Sequence, residues 1–258
     1  MSAIFSMYVA RESGLHGLHP LTKLTLTFCL FTASFALPWP WVPYALTAIV
    51  VLPLAVWGRV AVPFLRGARN LVLPFAVSVF LIQGLFWGGG TQLVALGPLS
   101  VKLEGLVFAA VSTGRILMIA SVFLLFAMTT RPDLLMITLK QVGFPGGIAY
   151  IIVTTIQIVP RFQAKANAIL DAQRSRGLET EGNFLVRARA LLPLVMPLVL
   201  GSLVEVEERA IAVEARAFNS KRRETSLIEI ADSLSQKIGR WLMIGITSGL
   251  VITRVIWR

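Results

Sequence analysis

Charged residues and cysteine are both scarce in this chain of 258 residues. Charged side chains make up only 14% of the sequence, against about 25% in soluble domains, whereas hydrophobic residues make up 56%. So low a charged fraction excludes an ordinary water-soluble fold. The single cysteine, Cys29, also excludes an internal disulfide and a metal site built from cysteine pairs.

Several catalytic motifs are absent as well. The sequence has no Gly-x-x-x-x-Gly-Lys-Ser/Thr phosphate loop, and the glycine run 88–90 is not followed by Lys-Ser or Lys-Thr, so we do not expect this chain to hydrolyse ATP. The patterns His-Glu-x-x-His and Gly-x-Ser-x-Gly are missing too. Both histidines, His16 and His19, lie in one short segment, and two ligands are too few for a metal site. We therefore predict no cofactor and no metal, and we assign His16 and His19 to a surface turn.

The charge that is present is mostly positive. Lysine and arginine number 24 and aspartate and glutamate 13, which gives a net charge of +11 at pH 7. The basic residues lie between long uncharged runs rather than along one polar face. This pattern argues against a nucleic-acid partner and favours a membrane protein with basic cytoplasmic loops.

Five apolar runs are candidate transmembrane helices, because a bilayer core about 30 Å thick needs roughly 20 mostly apolar residues. They lie at about 21–37, 41–57, 71–87, 106–128 and 240–257. We predict an all-α integral membrane protein with about five transmembrane helices and long amphipathic cytoplasmic coupling helices.

The basic residues also predict the topology. Because loops rich in Lys and Arg stay in the cytoplasm, we place the N-terminus and the region after residue 131 inside and the loops 38–40 and 88–105 outside. A single crossing by the last segment would put Arg254 and Arg258 outside, so its topology stays open. The predicted division is 1–130 for a four-helix membrane region, 131–238 for a cytoplasmic or interfacial coupling-helix region and 239–258 for a C-terminal transmembrane helix.

The region 131–238 differs in kind from the rest. Two moderately hydrophobic stretches, 147–159 and 191–204, are too short to span comfortably, so we predict helices at or just under the membrane face, with a re-entrant or spanning role as the alternative. We expect the prolines to bound or break them (Pro145, Pro160, Pro193 and Pro197). The charged stretches 161–176 and 203–217 have helix-period apolar positions and predict long amphipathic cytoplasmic helices.

Two arginines stand near the ends of these amphipathic stretches. One is Arg176 in Ser175-Arg176-Gly177, and the other is Arg216 in Ala215-Arg216-Ala217. A single arginine in a last helical turn is an ordinary helix ending. The recurrence of an arginine between small residues favours two tips that enter two similar pockets and bond carboxylates or carbonyls there.

Arg115 is the only charged side chain inside the third and fourth apolar segments. A cation in lipid is costly unless it is paired or hydrated, so we expect Arg115 to face protein. A polar contact with another helix or a partner subunit and a hydrogen-bonded anchor to backbone carbonyls are both open.

Taken together, these residues resemble the transmembrane T component of energy-coupling-factor (ECF) transporters, a group that imports vitamins and cobalt or nickel. The element 13–23 is similar to the family's Ser-x-Leu-His-x-Leu-Asp-Pro-x-x-Lys, with His19 where Asp is usual, and 129–132 is similar to its Thr-Thr-x-Pro. The paired x-Arg-x tips are the most specific feature. Arg174 competes with Arg176 for the first tip.

The resemblance implies a coupling subunit of the cytoplasmic membrane of a prokaryote that is not itself an enzyme. It implies that Arg176 and Arg216, with their small neighbours, dock two ATPase subunits and pass their movement to a separate substrate-binding membrane (S) subunit. The cargo, a vitamin or a transition-metal ion, is then chosen by that other polypeptide. A rival from another class is a membrane-embedded lipid-modifying enzyme that uses Arg115, Glu205, Glu207 and Glu208, although these acids also fit a solvated helix face.

Overall fold

The structure is a computed structural model. It describes residues 8–9, 11, 13–37, 39–88, 91–96, 99–178, 183–217 and 232–256, with the backbone alone for 92–96, 99–101 and 184–192.

Helices account for nearly all regular structure in the described residues, which confirms the predicted all-α membrane fold. A π-helical turn at Thr47–Val51 joins α2 to α3, so that Val42–Trp57 is continuous. The helices are α1 Pro20–Ala36, α2 Val42–Leu46, α3 Leu52–Trp57, α4 Ala61–Phe86, α5 Leu103–Thr129, α6 Pro132–Gln141, α7 Gly146–Ser175, α8 Phe184–Ala215 and α9 Leu234–Ile256.

A short hairpin interrupts the helices between α4 and α5. Strands β1 Gln92–Leu96 and β2 Leu99–Lys102 pair antiparallel, with Leu96 opposite Leu99. The sequence predicts only a glycine-rich loop here. The hairpin closes the connection between two long antiparallel helices.

Three helices are long and apolar enough to cross a membrane, namely α4, α5 and α9, and the first two predicted segments form shorter apolar helices. Helix α4 begins at Ala61 rather than near residue 71, so Arg66 and Arg69 lie within it instead of in a loop. The number of crossings stays a prediction, because length and composition alone do not establish it.

The chain forms two compact units. The described residues of one, 146–178 and 183–217, contain α7 and α8, and the other contains α1 to α6 and α9. Helix α6 contacts α1 within the larger unit. That unit extends to Pro145, beyond the predicted boundary of the membrane region at residue 130.

The core of the larger unit lies between α4 and α5 and the helices next to them. Phe64 of α4 and Met118 of α5 are both almost completely buried, together with Val51 of the π-helical turn and Leu15. The two long helices approach closely at Gly105, where a Cβ atom would lie only 2.2 Å from the carbonyl oxygen of Gln83. This contact requires glycine, since any side chain would force α4 and α5 apart.

Helix α9 packs along α1 and buries none of its described residues. Polar contacts hold both ends. Near its start, the side-chain carbonyl of Gln236 accepts hydrogen bonds from the backbone N–H of His19 at 2.8 Å and from the Thr22 hydroxyl at 3.3 Å. Near its end, Arg254 donates to the carbonyl of Phe35. The two helices therefore run parallel.

Helices α7 and α8 are continuous, which contradicts the expectation that prolines break them. Pro160 lies inside the 30 residues of α7, and Pro193 and Pro197 lie inside the 32 residues of α8. A proline removes one backbone hydrogen bond and crowds the preceding turn, at a cost of about 3 kcal/mol in a helix interior. In helices this long, many flanking turns keep the axis intact, so each apolar stretch and the charged stretch after it form one element.

Candidate docking tips at the ends of two long helices

Helix α7 ends in a Schellman motif that places Arg176 at the C-cap. The N–H of Gly177 donates to the carbonyl of Arg174 at 2.9 Å, and the N–H of Leu178 donates to the carbonyl of Gln173 at 3.1 Å. Gly177 has φ +86°, in the left-handed region where glycine carries no steric penalty. The sequence Ser175-Arg176-Gly177 therefore ends the helix with the arginine as its last residue before the turn.

Helix α8 also ends with an arginine at the C-cap and a left-handed residue after it. Arg216 is the C-cap, Ala217 has φ +55°, and the Ala217 N–H donates to the carbonyl of Glu214 at 2.8 Å. Left-handed backbone is rare in a residue with a side chain and costs roughly 1–2 kcal/mol. The chain thus holds Ala217 in a conformation that glycine would adopt more easily. Residues 218–231 lie outside the described part.

Arg176 and Arg216 consequently occupy equivalent positions, each at a C-cap followed by one left-handed residue. Arg174 does not share this position, because it lies two residues earlier and corresponds to Glu214. Its guanidinium is 3.6 Å from the carboxylate of Asp171. The helix ends therefore align Arg176, and not Arg174, with Arg216.

Both tip arginines extend into solvent. Arg176 and Arg216 are exposed, as are the small residues on either side of each (Ser175, Gly177, Ala215 and Ala217). Within the described residues neither guanidinium forms an ion pair or a hydrogen bond. The Ser175 hydroxyl is occupied by its own helix, since it donates to the Asp171 carbonyl at 3.1 Å. Each tip thus offers a bidentate donor with little steric cover, suited to a carboxylate or carbonyl cluster on a partner.

Arg115 contacts an aromatic ring of a neighbouring helix. It is half-buried in α5, and its guanidinium carbon lies 5.6 Å from the ring centroid of Phe35 in α1. A cation over a ring face is a favourable contact. The alternative anchor to backbone carbonyls has no hydrogen bond in the described residues.

A polar cluster at the start of α9 was missed by sequence reasoning. Arg240 donates to Asp232 at 2.5 Å and lies 3.4 Å from Nδ1 of His19, a ring nitrogen that also accepts from the Leu21 N–H at 3.3 Å. His19 is only 3% exposed, which corrects its assignment to a surface turn. It is buried because it caps α1 while Gln236 and Arg240 cover it.

Burial lowers the pKa of His19 below its ordinary value, and the nearby Asp232 carboxylate opposes this shift in part. The geometry agrees, since Nδ1 serves as an acceptor and faces a cation. In the neutral ring, the hydrogen bond that Nδ1 accepts from the Leu21 N–H places the proton on Nε2. Among the described residues, no group of three or more His, Cys, Asp or Glu side chains is arranged to hold a metal ion.

A family model described as a cobalt transport protein, CbiQ, matches residues 11–227 of the chain. This chain belongs to the CbiQ family. The match includes the N-terminal element, the two long helices and both arginine tips. A member of this family is a transmembrane component of a transporter and not an enzyme, so the lipid-modifying enzyme is not favoured.

Curated relatives of this CbiQ-family chain are named energy-coupling factor transporter transmembrane protein EcfT. The relative from Thermosediminibacter oceani is 25% identical over 265 aligned positions, which cover 97% of each chain. The relative from Listeria innocua is 30% identical over 86% of this chain and 87% of its own length. One from Listeria monocytogenes is 28% identical over 97% of each chain. The similarity therefore extends over most of the chain.

Proposed function

We propose that this chain is the transmembrane coupling subunit of an ECF-type importer of the bacterial cytoplasmic membrane. It assembles with two ATPase subunits and one substrate-binding membrane (S) subunit, and ATP hydrolysis takes place on the ATPases. The transporter names of the EcfT relatives support this assignment. The cargo is a vitamin or a transition-metal ion, bound by the S subunit.

The observation that carries the proposal is the equivalence of Arg176 and Arg216. Two helices that each end with an arginine at the C-cap and a left-handed residue after it present two guanidiniums between small residues, and within the described residues neither has a partner of its own. Two equivalent tips suit two ATPase subunits of the same fold. Arg176 and Arg216 anchor the ATPases and transmit force, without covalent chemistry.

The continuity of α7 and α8 supplies the mechanical link. At 1.5 Å per residue, each helix is about 45 Å long and joins an apolar stretch, 147–159 in α7 and 191–204 in α8, to a charged stretch that ends in a tip. Because Pro160, Pro193 and Pro197 do not divide these helices, a displacement of the tip moves the apolar stretch as well. The ATPases thus act on the membrane part of the transporter through two levers.

The rest of the chain forms the membrane part. Residues 1–130 and 239–258 contribute the membrane helices with the N-terminus in the cytoplasm, and residues 131–238 contain the coupling helices α7 and α8. In the membrane, Arg115 provides a polar contact at the surface shared by α5 and α1.

Co-purification from the native membrane tests this function. The tagged chain is expected to bring down one or two kinds of ATPase and a small, very hydrophobic subunit, identified by mass spectrometry. R176E and R216E each place a carboxylate where a cation is needed, so either change weakens ATPase recovery and the double change abolishes both recovery and uptake.

A matched control comes from the same helix end. R174E changes the same charge two residues earlier, where the arginine pairs with Asp171, and ATPase recovery is expected to stay close to wild type. If R174E abolishes recovery while R176E does not, Arg174 is the first tip. If the R176E/R216E double variant recovers the ATPases and supports uptake as the wild type does, the docking role of the two arginines is wrong.

A further inference from the structure

A small cavity lies between α7 and α8. Its volume is about 120 Å³. We call it the crossing pocket, and six of the side chains that line it are Ile158, Arg161, Phe162, Glu205, Val206 and Arg209. It lies in the helix interiors, several turns before either tip.

Three cations and one carboxylate lie at this pocket, and two of the cations contact the carboxylate. Arg209 donates to Glu205 at 3.3 Å, and the ammonium group of Lys165 lies 4.0 Å from the other oxygen of Glu205. Arg161 forms no ion pair or hydrogen bond within the described residues. The pocket therefore carries an excess of positive charge that an anion would neutralise.

Lys165 is held close to the pocket by the shape of α8. A Cβ atom at Gly201 would lie only 2.7 Å from the Lys165 ammonium nitrogen and 2.9 Å from the carbon next to it. The Lys165 side chain thus packs against the backbone of Gly201, where no side chain intervenes, and lies beside Glu205. Glycine at position 201 makes this approach possible.

Both helices change from uncharged to charged at the level of the pocket. In α7 the stretch 146–159 carries no charged residue and Arg161 is the first. In α8, after Arg187 and Arg189 near its start, the stretch 191–204 carries none and Glu205 is the next charged residue. Lys and Arg at such a transition lay their carbon stems along apolar surface and reach lipid headgroups with their charged ends. A basic cluster at this transition is therefore expected at the depth of lipid phosphates.

We propose that the crossing pocket binds the phosphate of an anionic lipid headgroup from the cytoplasmic leaflet. Arg161 and Arg209 supply paired N–H donors that match phosphate oxygens, and Lys165 adds a point charge. The apolar side chains of Ile158, Phe162 and Val206 contact the glycerol and the first acyl carbons.

Glu205 has two opposite effects on this ligand. Its contacts hold Arg209 and Lys165 in place, yet its carboxylate competes with the phosphate for the same cations. Removing its charge while keeping its shape frees both cations. The E205Q variant is therefore expected to bind the lipid more tightly than the wild type does.

The test uses the purified full chain in a neutral detergent, with thermal unfolding as the readout. Dihexanoyl phosphatidylglycerol is expected to raise the melting temperature saturably, and dihexanoyl phosphatidylcholine and inorganic phosphate far less. R161Q is expected to weaken the apparent affinity for phosphatidylglycerol about five-fold, since a basic side chain near an anionic headgroup contributes about 1 kcal/mol. The matched control is R66Q, which removes an exposed arginine from α4 and is expected to bind as the wild type does.

Two further variants keep the test decisive if R161Q folds poorly. E205Q is expected to tighten binding, and G201A to weaken it, because the new methyl group displaces Lys165. Equal binding by R161Q, G201A and wild type would overturn the proposal, as would weaker binding by E205Q. If inorganic phosphate raises the melting temperature as much as phosphatidylglycerol does, the ligand is a soluble phosphate compound and the lipid proposal is wrong. Because no ATPase is present, the outcome is independent of the docking function.

Discussion

The ammonium group of Lys23 lies 2.8 Å from the carbonyl oxygen of Thr129, the last residue of α5. Lys23 also donates to the carbonyl of His16 at 3.1 Å and is only 5% exposed. One side chain in the first turn of α1 thus holds both the preceding segment and the end of α5. The final carbonyls of a helix have no partner within the helix, so this donor satisfies one of them.

Replacing Lys23 by methionine is expected to destabilise the larger unit. The change keeps most of the side-chain volume but leaves two carbonyls without their donor, at a cost of about 1–3 kcal/mol for each buried group left unsatisfied. Thermal unfolding in detergent measures the effect. K237M, which removes an exposed lysine from α9, is the control and should melt within about a degree of wild type. Equal melting temperatures for K23M and K237M would contradict this role.

Acidification is expected to loosen the contact between α1 and α9. The folded-state pKa of His19 is lowered by burial, so below the ordinary histidine pKa the unfolded chain binds the proton more readily than the folded chain. The contribution of His19 is therefore complete above about pH 6.5 and decreases as the pH falls through that value. A proton on Nδ1 would also face Arg240 and, at longer range, Lys237, with only Asp232 to offset them.

The H19D variant tests this prediction with the residue that is usual in the family. A carboxylate there is expected to cap α1, pair with Arg240 and stay ionised between pH 7.5 and 5.5, so the melting temperature should fall less on acidification than in wild type. His16 also has a pKa lowered by burial and accounts for the remaining dependence. An unchanged pH profile in H19D would show that His19 is not the responsible group.

Glycine at position 217 is expected to stabilise the end of α8. Ala217 already has φ +55°, so A217G relieves a left-handed strain of roughly 1–2 kcal/mol, partly offset by the greater freedom of glycine in the unfolded chain. G177A at the other tip should be destabilising, since alanine would be forced to φ +86°. Hydrogen exchange of the last turns of α7 and α8 is the measurement. Faster exchange at the end of α8 in A217G would mean that the cap geometry is wrong.

The direction of α9 can be tested with a cysteine label. Because α9 runs parallel to α1, entry of both helices from the cytoplasm would place Arg254 on the external side. In a C29A background, R254C is expected to react with a membrane-impermeant maleimide on intact cells. Q236C, at the opposite end, should react only after the membrane is opened. Reaction of Q236C alone on intact cells would reverse this topology.

Apolar runs predicted where helices lie better than where they begin. The predicted segment 21–37 nearly coincides with α1, because proline at the first helical position and an apolar run mark the same boundary. The start of α4 was missed, since Arg66 and Arg69 lower the local hydropathy without interrupting the helix. Hydropathy indicates which residues are suited to contact lipid, whereas the end of a helix is set by where its backbone hydrogen bonds stop.

The position of the two arginines at helix ends could be predicted in part, while their docking role stays a prediction. The recurrence of arginine between small residues indicated Arg176 and Arg216, but alignment of the two amphipathic stretches by sequence left Arg174 as an alternative to Arg176. The backbone removes that ambiguity in position, because left-handed dihedrals at Gly177 and Ala217 fix the register of the two helix ends. An alanine gives no sequence signal for such a conformation.

The cluster of His19, Asp232 and Arg240 could not be predicted from sequence at all. Its members lie at opposite ends of the chain, and no periodicity connects them. Asp232 also falls in a polar stretch that sequence reasoning assigned to the cytoplasmic region. Only the packing of α9 on α1 brings these side chains together.

The pairing of the first helix with the last has a consequence for biosynthesis. Helix α1 emerges from the ribosome long before α9, so the flank of α1 that contacts α9 has no partner within the chain until α9 is made. The polar groups at the two ends of α9 then act late, as the steps that close the bundle. Ribosome stalling before residue 234 should therefore yield an open membrane intermediate whose remaining helices are already packed.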